Sequence, residues 1–117
     1  MHYTLQVFET ADGFDARNDP ARQASYWQGT MAYLQALKDA GIFVSGAGLQ
    51  PPSAATTLRR SQGQLVVQDG PIAETREMLG GFFVINVRDL DTAMQWAARF
   101  PDRPGVVVEV RPNLPHD

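Results

Sequence analysis

Asp69-Gly70-Pro71 is the segment whose residue types most readily carry chemistry. A carboxyl set among apolar side chains is pushed up by desolvation. Poised in that way it moves a proton to or from a small carbon acid, so Asp69 is the candidate acid–base residue. The same three residues are also ordinary turn chemistry, in which the Asp side chain only ties down backbone amides, and residue types leave both readings open. Arg76 suits bidentate capture of a carboxylate. Gly70, Pro71, Trp27 and Ser45 complete the candidate substrate contacts, although aromatics at helical spacing are more often core and Trp27 is read as core-facing. Glu74 and Glu77, three apart around Arg76, read as a solvated helical face rather than as metal ligands.

Several chemistries are excluded or disfavoured. There is no cysteine, which removes disulfides, thiolate metal sites and thiol nucleophiles. The two histidines, His2 and His116, stand near the ends, so Ser25, Ser45 and Ser53 have no partner for a serine triad. Gly46, Gly48, Gly80 and Gly81 follow no dinucleotide fingerprint and suit close strand crossing. No cofactor or metal is called for.

The 117 residues, 44% of them apolar, suit one domain with one core. A formal charge of -3, with basic residues scattered apart from Arg59-Arg60, argues against nucleic acid. No apolar run approaches the ~20 residues of a membrane span, and Met1–Phe8 reads as a strand, not a signal peptide. A cytoplasmic setting is the default.

The elements that must position these residues follow from periodicity. Leu5 and Val7 alternate with Gln6 and Phe8 in an opening strand, which Ala11-Asp12-Gly13 breaks. Asp19-Pro20 predicts a helix start, Ala24, Trp27, Met31, Leu34 and Leu37 its apolar stripe, and Gly41 its end. Gly29 inside the helix marks a close approach. A strand from Ile42, a hairpin across Ser61-Gln62-Gly63, an apolar strand over Gly80–Val87, a helix capped by Asp89 or Asp91 and a strand over Val106–Val110 complete the chain. The domain is drawn over residues 1–112, with a loose tail over 113–117. The order is β-α-β, hairpin, β-α-β: an α+β, ferredoxin-like split βαβ with an inserted hairpin, an antiparallel sheet and two helices on one face. The apolar surface left on the other face predicts a second copy packed against it.

From Tyr3 to Pro112 the chain resembles the DGPF branch of the YCII-related proteins. The likeness rests on Asp69-Gly70-Pro71-Ile72-Ala73-Glu74-Thr75-Arg76-Glu77, Leu79-Gly80-Gly81-Phe82-Phe83, Gly46-Ala47-Gly48-Leu49-Gln50-Pro51-Pro52, the helix Asp89–Ala97 and the ending Val108–Pro112. It implies a dimeric α/β barrel of two sheets packed face to face. There are two departures: Ile72 stands for the phenylalanine of the DGPF motif. Tyr26-Trp27-Gln28 occupies the early-helix stretch where the wider group is thought to use a histidine with an aspartate.

The functional expectation is a homodimer that binds a small organic acid or aromatic metabolite in a cavity between the sheet and the Asp69 loop. Cofactor-free proton transfer, of isomerase or lyase type, would use Asp69 with Arg76 orienting the anion. The alternative is a non-catalytic ligand-sensing or protein-interaction module; the resemblance adds a link to sigma-factor regulation.

Overall fold

The computed structural model describes residues 1–115. Strand β1 (His2–Glu9) leads into two helices, α1 (Ala11–Ala16) and α2 (Gln23–Asp39). Strand β2 (Phe43–Gly48), the hairpin β3 (Thr56–Ser61) and β4 (Gln64–Asp69), and strand β5 (Met78–Asn86) follow. Helix α3 (Leu90–Ala98) and strand β6 (Val107–Pro112) close the fold. The main sheet runs β2-β5-β1-β6 with every pairing antiparallel. That is the ferredoxin-like order, and the expected α+β architecture holds.

Alternation along β1 sets the two faces. Tyr3, Leu5, Val7 and Glu9 are buried toward the helices, while Thr4, Gln6 and Phe8 lie on the other face. Register carries the pattern across: Leu5 pairs with Phe83 and Tyr3 with Ile85, so these join the core with Leu37 and Ala93. Phe83 and Ile85 therefore belong to the helix side. Phe82 and Val84 take the open side beside Phe8.

The first helical region differs most from expectation. The opening strand ends before Ala11-Asp12-Gly13 as expected, but these residues are helical: Thr10 caps the six-residue α1 through the Gly13 amide. Asp19 accepts from the Ala21 amide and the Arg22 guanidinium in a turn before α2, which lacks a side-chain cap. The inward stripe of α2 is Tyr26, Thr30, Tyr33 and Leu37, spaced four, three and four, with Thr30 half-buried and the other three buried. Of the expected stripe Leu37 is in the core, whereas Ala24 is exposed, Trp27 is 44% and Met31 57% exposed, and Leu34 is half-buried, so these flank it. Both stripes have helical periodicity, and the tyrosines bury because their hydroxyls find partners; Tyr33 donates to the Trp96 carbonyl at 2.7 Å.

The hairpin turns at Gln62-Gly63, both at positive φ. It forms a separate two-stranded sheet, and Leu58, Leu65 and Val67 on one of its faces are exposed. The radius of gyration is 16.0 Å, against about 13 Å for a compact chain of this length. Residues 74–77 are not helical, so Glu74 and Glu77 share no helical face. Asn113, at the head of the expected loose tail, hydrogen-bonds to the His2 carbonyl and to Thr4. Residues 116–117 of that tail, His116 included, lie outside the described residues.

The two stripes of α2 are separable by mutation. Leu37→Ala, at a fully buried position, is expected to cost about 2–5 kcal/mol in urea unfolding. Met31→Ala is expected to stay within about 1 kcal/mol; equal costs would contradict this assignment of the core face.

Candidate functional site

The inward register of β1 ends in a charge. Glu9 follows Tyr3, Leu5 and Val7 on the core face and is only 3% exposed. Burial of a lone carboxylate is costly, and the fold supplies its partners from three further elements. Tyr26 of α2 donates its hydroxyl to Glu9, 2.7 Å from Oε1 and 2.9 Å from Oε2. Arg103, in the turn between α3 and β6, meets Oε1 at 3.2 Å. Arg17, at the end of α1, lies 3.8 Å from Oε2 and donates Nε to the Tyr26 oxygen at 2.9 Å.

Each arginine is itself fixed. Arg17 donates to the carbonyls of Leu49 and Gly80. A Cβ on Gly80 would stand 3.1 Å from the Arg17 guanidinium, so glycine there lets the side chain reach the sheet. Its guanidinium carbon lies 4.8 Å from the centre of the Phe14 ring. Arg103 donates to the Tyr26 carbonyl and to Thr30 and stacks 3.8 Å from the centre of the Tyr26 ring. Burial, then the bond to Glu9, push the Tyr26 hydroxyl up from its ordinary value, against Arg17, which pulls it down.

This cluster closes one end of a cleft of about 640 Å³ between α2 and the β2–β5 side of the sheet. Its walls are largely apolar: Trp27, Met31 and Leu34 from α2, Phe43 and Ala47 from β2, and Phe83 from β5. Cleft size, apolar walls and few convergent polar groups are the properties of a small-molecule site. The Trp27 indole donates to the Arg17 carbonyl at 3.1 Å, which ties the exposed rim to the charged end. Among the described residues no group of three or more histidines, cysteines or acids is placed to hold a metal ion.

A second concavity, about 580 Å³, lies between the open sheet face and the loop after Asp69. Phe8, Pro51, Pro71, Ile72, Met78 and Leu79 line it, and it contains no buried charge.

The residues singled out from sequence are not brought together. Trp27 lines the first cleft and Pro71 the second, and neither cleft includes Asp69, Gly70, Arg76 or Ser45. Asp69 is exposed at the end of β4, on the hairpin face that carries Leu58, Leu65 and Val67. The loop is organised by its backbone instead: Gly70, at φ +99°, donates to the Ala55 carbonyl and accepts from the Thr57 hydroxyl. Asp69 is therefore solvent-exposed and not set among apolar side chains, and Arg76 is exposed as well.

Glu9, Arg17 and Arg103 went unnoticed in the sequence. The signal for Glu9 was available, because the alternation of Leu5 and Val7, carried two residues on, places an acid on the inner face. Arg103 offers less: a lone arginine between Pro101 and Pro104, whose target stands 94 residues away.

A family model described as the YCII-related domain matches residues 9–114. An uncharacterized protein of Rhizobium meliloti (strain 1021) is 48% identical over 59 residues, 50% of this chain and 48% of that protein. The chain thus spans about half the length of that relative.

Tyr26→Phe removes the donor to Glu9 and the acceptor of Arg17. An expected loss of about 1–3 kcal/mol is measurable by urea unfolding at neutral pH. A hydroxyl raised in the fold stabilises fully below the ordinary tyrosine value, and that contribution is lost as pH rises through the raised one. The variant therefore loses less stability than the parent on the alkaline side. Tyr33, pushed by burial up to about 12, supplies the part of the loss that remains. An unchanged alkaline limb would show that the Tyr26 hydroxyl carries none of it.

Proposed function

Because the chain belongs to the YCII-related domain family, we propose that it binds a small organic acid or aromatic metabolite in the cleft between α2 and the β2–β5 side of the sheet. The observation that carries this reading is the composition of the cleft: a closed end with Arg17, Arg103 and Glu9, and apolar walls leading out past Trp27. Guanidinium groups in a partly desolvated pocket bind carboxylates more strongly than water-exposed ones. Within the cleft, cofactor-free proton transfer of isomerase or lyase type falls to Glu9 and Tyr26, the carboxylate and hydroxyl present there. Asp69 serves as acid or base only where a second copy covers its hairpin face.

A second reading is a non-catalytic ligand sensor, in keeping with sigma-factor regulation. It is favoured by the engagement of both Glu9 oxygens with Tyr26, Arg103 and Arg17, which leaves no uncommitted base.

We further propose a homodimer through the open sheet faces, a DGPF-type assembly working in the cytoplasm. Phe8, Phe82 and Val84 on the sheet and the exposed Leu58, Leu65 and Val67 on the hairpin form more apolar surface than a monomer commonly leaves uncovered. Among the described residues no helix is long and apolar enough to cross a membrane.

The cleft reading predicts that aromatic probes such as benzoate and indole quench tryptophan emission. Trp27 and Trp96 are the two tryptophans. Trp27→Phe is expected to remove most of the response and Trp96→Phe little of it; a response carried by Trp96 rejects the site. Sedimentation at micromolar concentration is expected to give a dimer, and Val67→Glu in the hairpin to weaken it; a monomeric parent protein refutes the assembly.

A further inference from the structure

The charges inside the cleft balance to a single positive one. Glu9, Arg17 and Arg103 are the ionised groups among its lining residues, so one carboxylate offsets one of two guanidinium groups. The second guanidinium charge has no counterpart in the cleft. Hydrogen-bond capacity singles out which arginine is available. Arg17 is spent on the Tyr26 oxygen, the Leu49 and Gly80 carbonyls and the approach to Glu9. Arg103 uses one N–H of Nη1 on Glu9 and both of Nη2 on Tyr26 and Thr30. Its Nε–H and second Nη1–H have no acceptor among the described residues, and its side chain remains 15% exposed.

From this we infer that the cleft selects singly charged carboxylates with an apolar body, the carboxylate resting on an unspent Arg103 donor and the body between Trp27 and Met31 of α2 and Phe43 and Phe83 of the sheet. The inference rests on the cleft being the binding site and adds the charge class of its ligand. A neutral analogue leaves the surplus positive charge of the cleft unmatched, and a buried ion without a partner is costly. A dianion brings a second negative charge that the cleft cannot match, next to Glu9 and apolar walls, where attraction and repulsion are both stronger than in water. Glu9 is thus a specificity-determining residue: it lowers the charge the cleft can accept from two to one.

Three probes of nearly one shape separate the alternatives: hydrocinnamate, its neutral amide and benzylmalonate, which carries one carboxylate more. Calorimetric titration at mildly alkaline pH, where benzylmalonate is a dianion, is expected to rank hydrocinnamate tighter than either by about tenfold or more. Glu9→Gln keeps the shape of the side chain and raises the cleft charge by one; its preference is expected to move toward benzylmalonate by about tenfold. Arg103→Gln should abolish the advantage of hydrocinnamate over its amide. Circular dichroism and a thermal transition confirm that each variant is folded; for a variant that does not fold, the ranking of the three probes on the parent protein decides. Equal binding of acid and amide, or tighter binding of the dianion to the parent protein, overturns the charge class and leaves the cleft reading standing. Failure of all three probes to bind overturns both.

Discussion

The buried carboxylate of Glu9 is the constraint on which this end of the molecule depends. The alternation that buries Tyr3, Leu5 and Val7 carries an acid into the core at the last residue of β1. A charge there is tolerable only with partners in good geometry. Those partners come from α1, from α2 and from the turn before β6, so a single ionised group draws together segments that local propensity would leave independent. The cleft is a by-product of that arrangement. The two arginines that reach Glu9 line the cleft beside apolar residues of α2, β2 and β5.

Helix α2 shows how one element serves two surfaces. Tyr26, Thr30, Tyr33 and Leu37 pack inward, and their hydroxyls find acceptors in Glu9, the Tyr26 carbonyl and the Trp96 carbonyl. Trp27, Met31 and Leu34, one residue further round, are apolar without being core and line the cleft. Hydropathy ranks the second stripe above the first, because tyrosine and threonine count as polar. Burial follows the satisfaction of polar atoms as well as their number, and that preference is invisible without the partners.

Much of the fold was nevertheless legible. The strand order follows from the βαβ pattern and the hairpin, since chain connectivity leaves few antiparallel arrangements. Gly29 inside α2 signalled a close approach, and Pro101 and Arg103 occupy that place. The short α1 was missed because six residues hold less than two helical turns and Gly13 resembles a break. The residues singled out from sequence lie apart for a different reason. Asp69-Gly70-Pro71 is conspicuous by its type, but its conformation serves the hairpin: Gly70 answers Ala55 and Thr57 while the Asp69 side chain faces solvent. Conspicuous loop residues identify a turn readily; a charged group within an apolar alternation is the quieter sign and marks the cleft here.

The separation of Arg103 from Glu9 along the chain, 94 residues, bears on how the binding site comes into being. During synthesis β1, α1 and α2 emerge long before the turn that carries Arg103. Until that turn docks, Glu9 has only Tyr26 and Arg17 beside it, and the cleft carries no surplus positive charge. Long-range closure of this kind is entropically late. The charge balance of the cleft is therefore set only once the segment before β6 has docked.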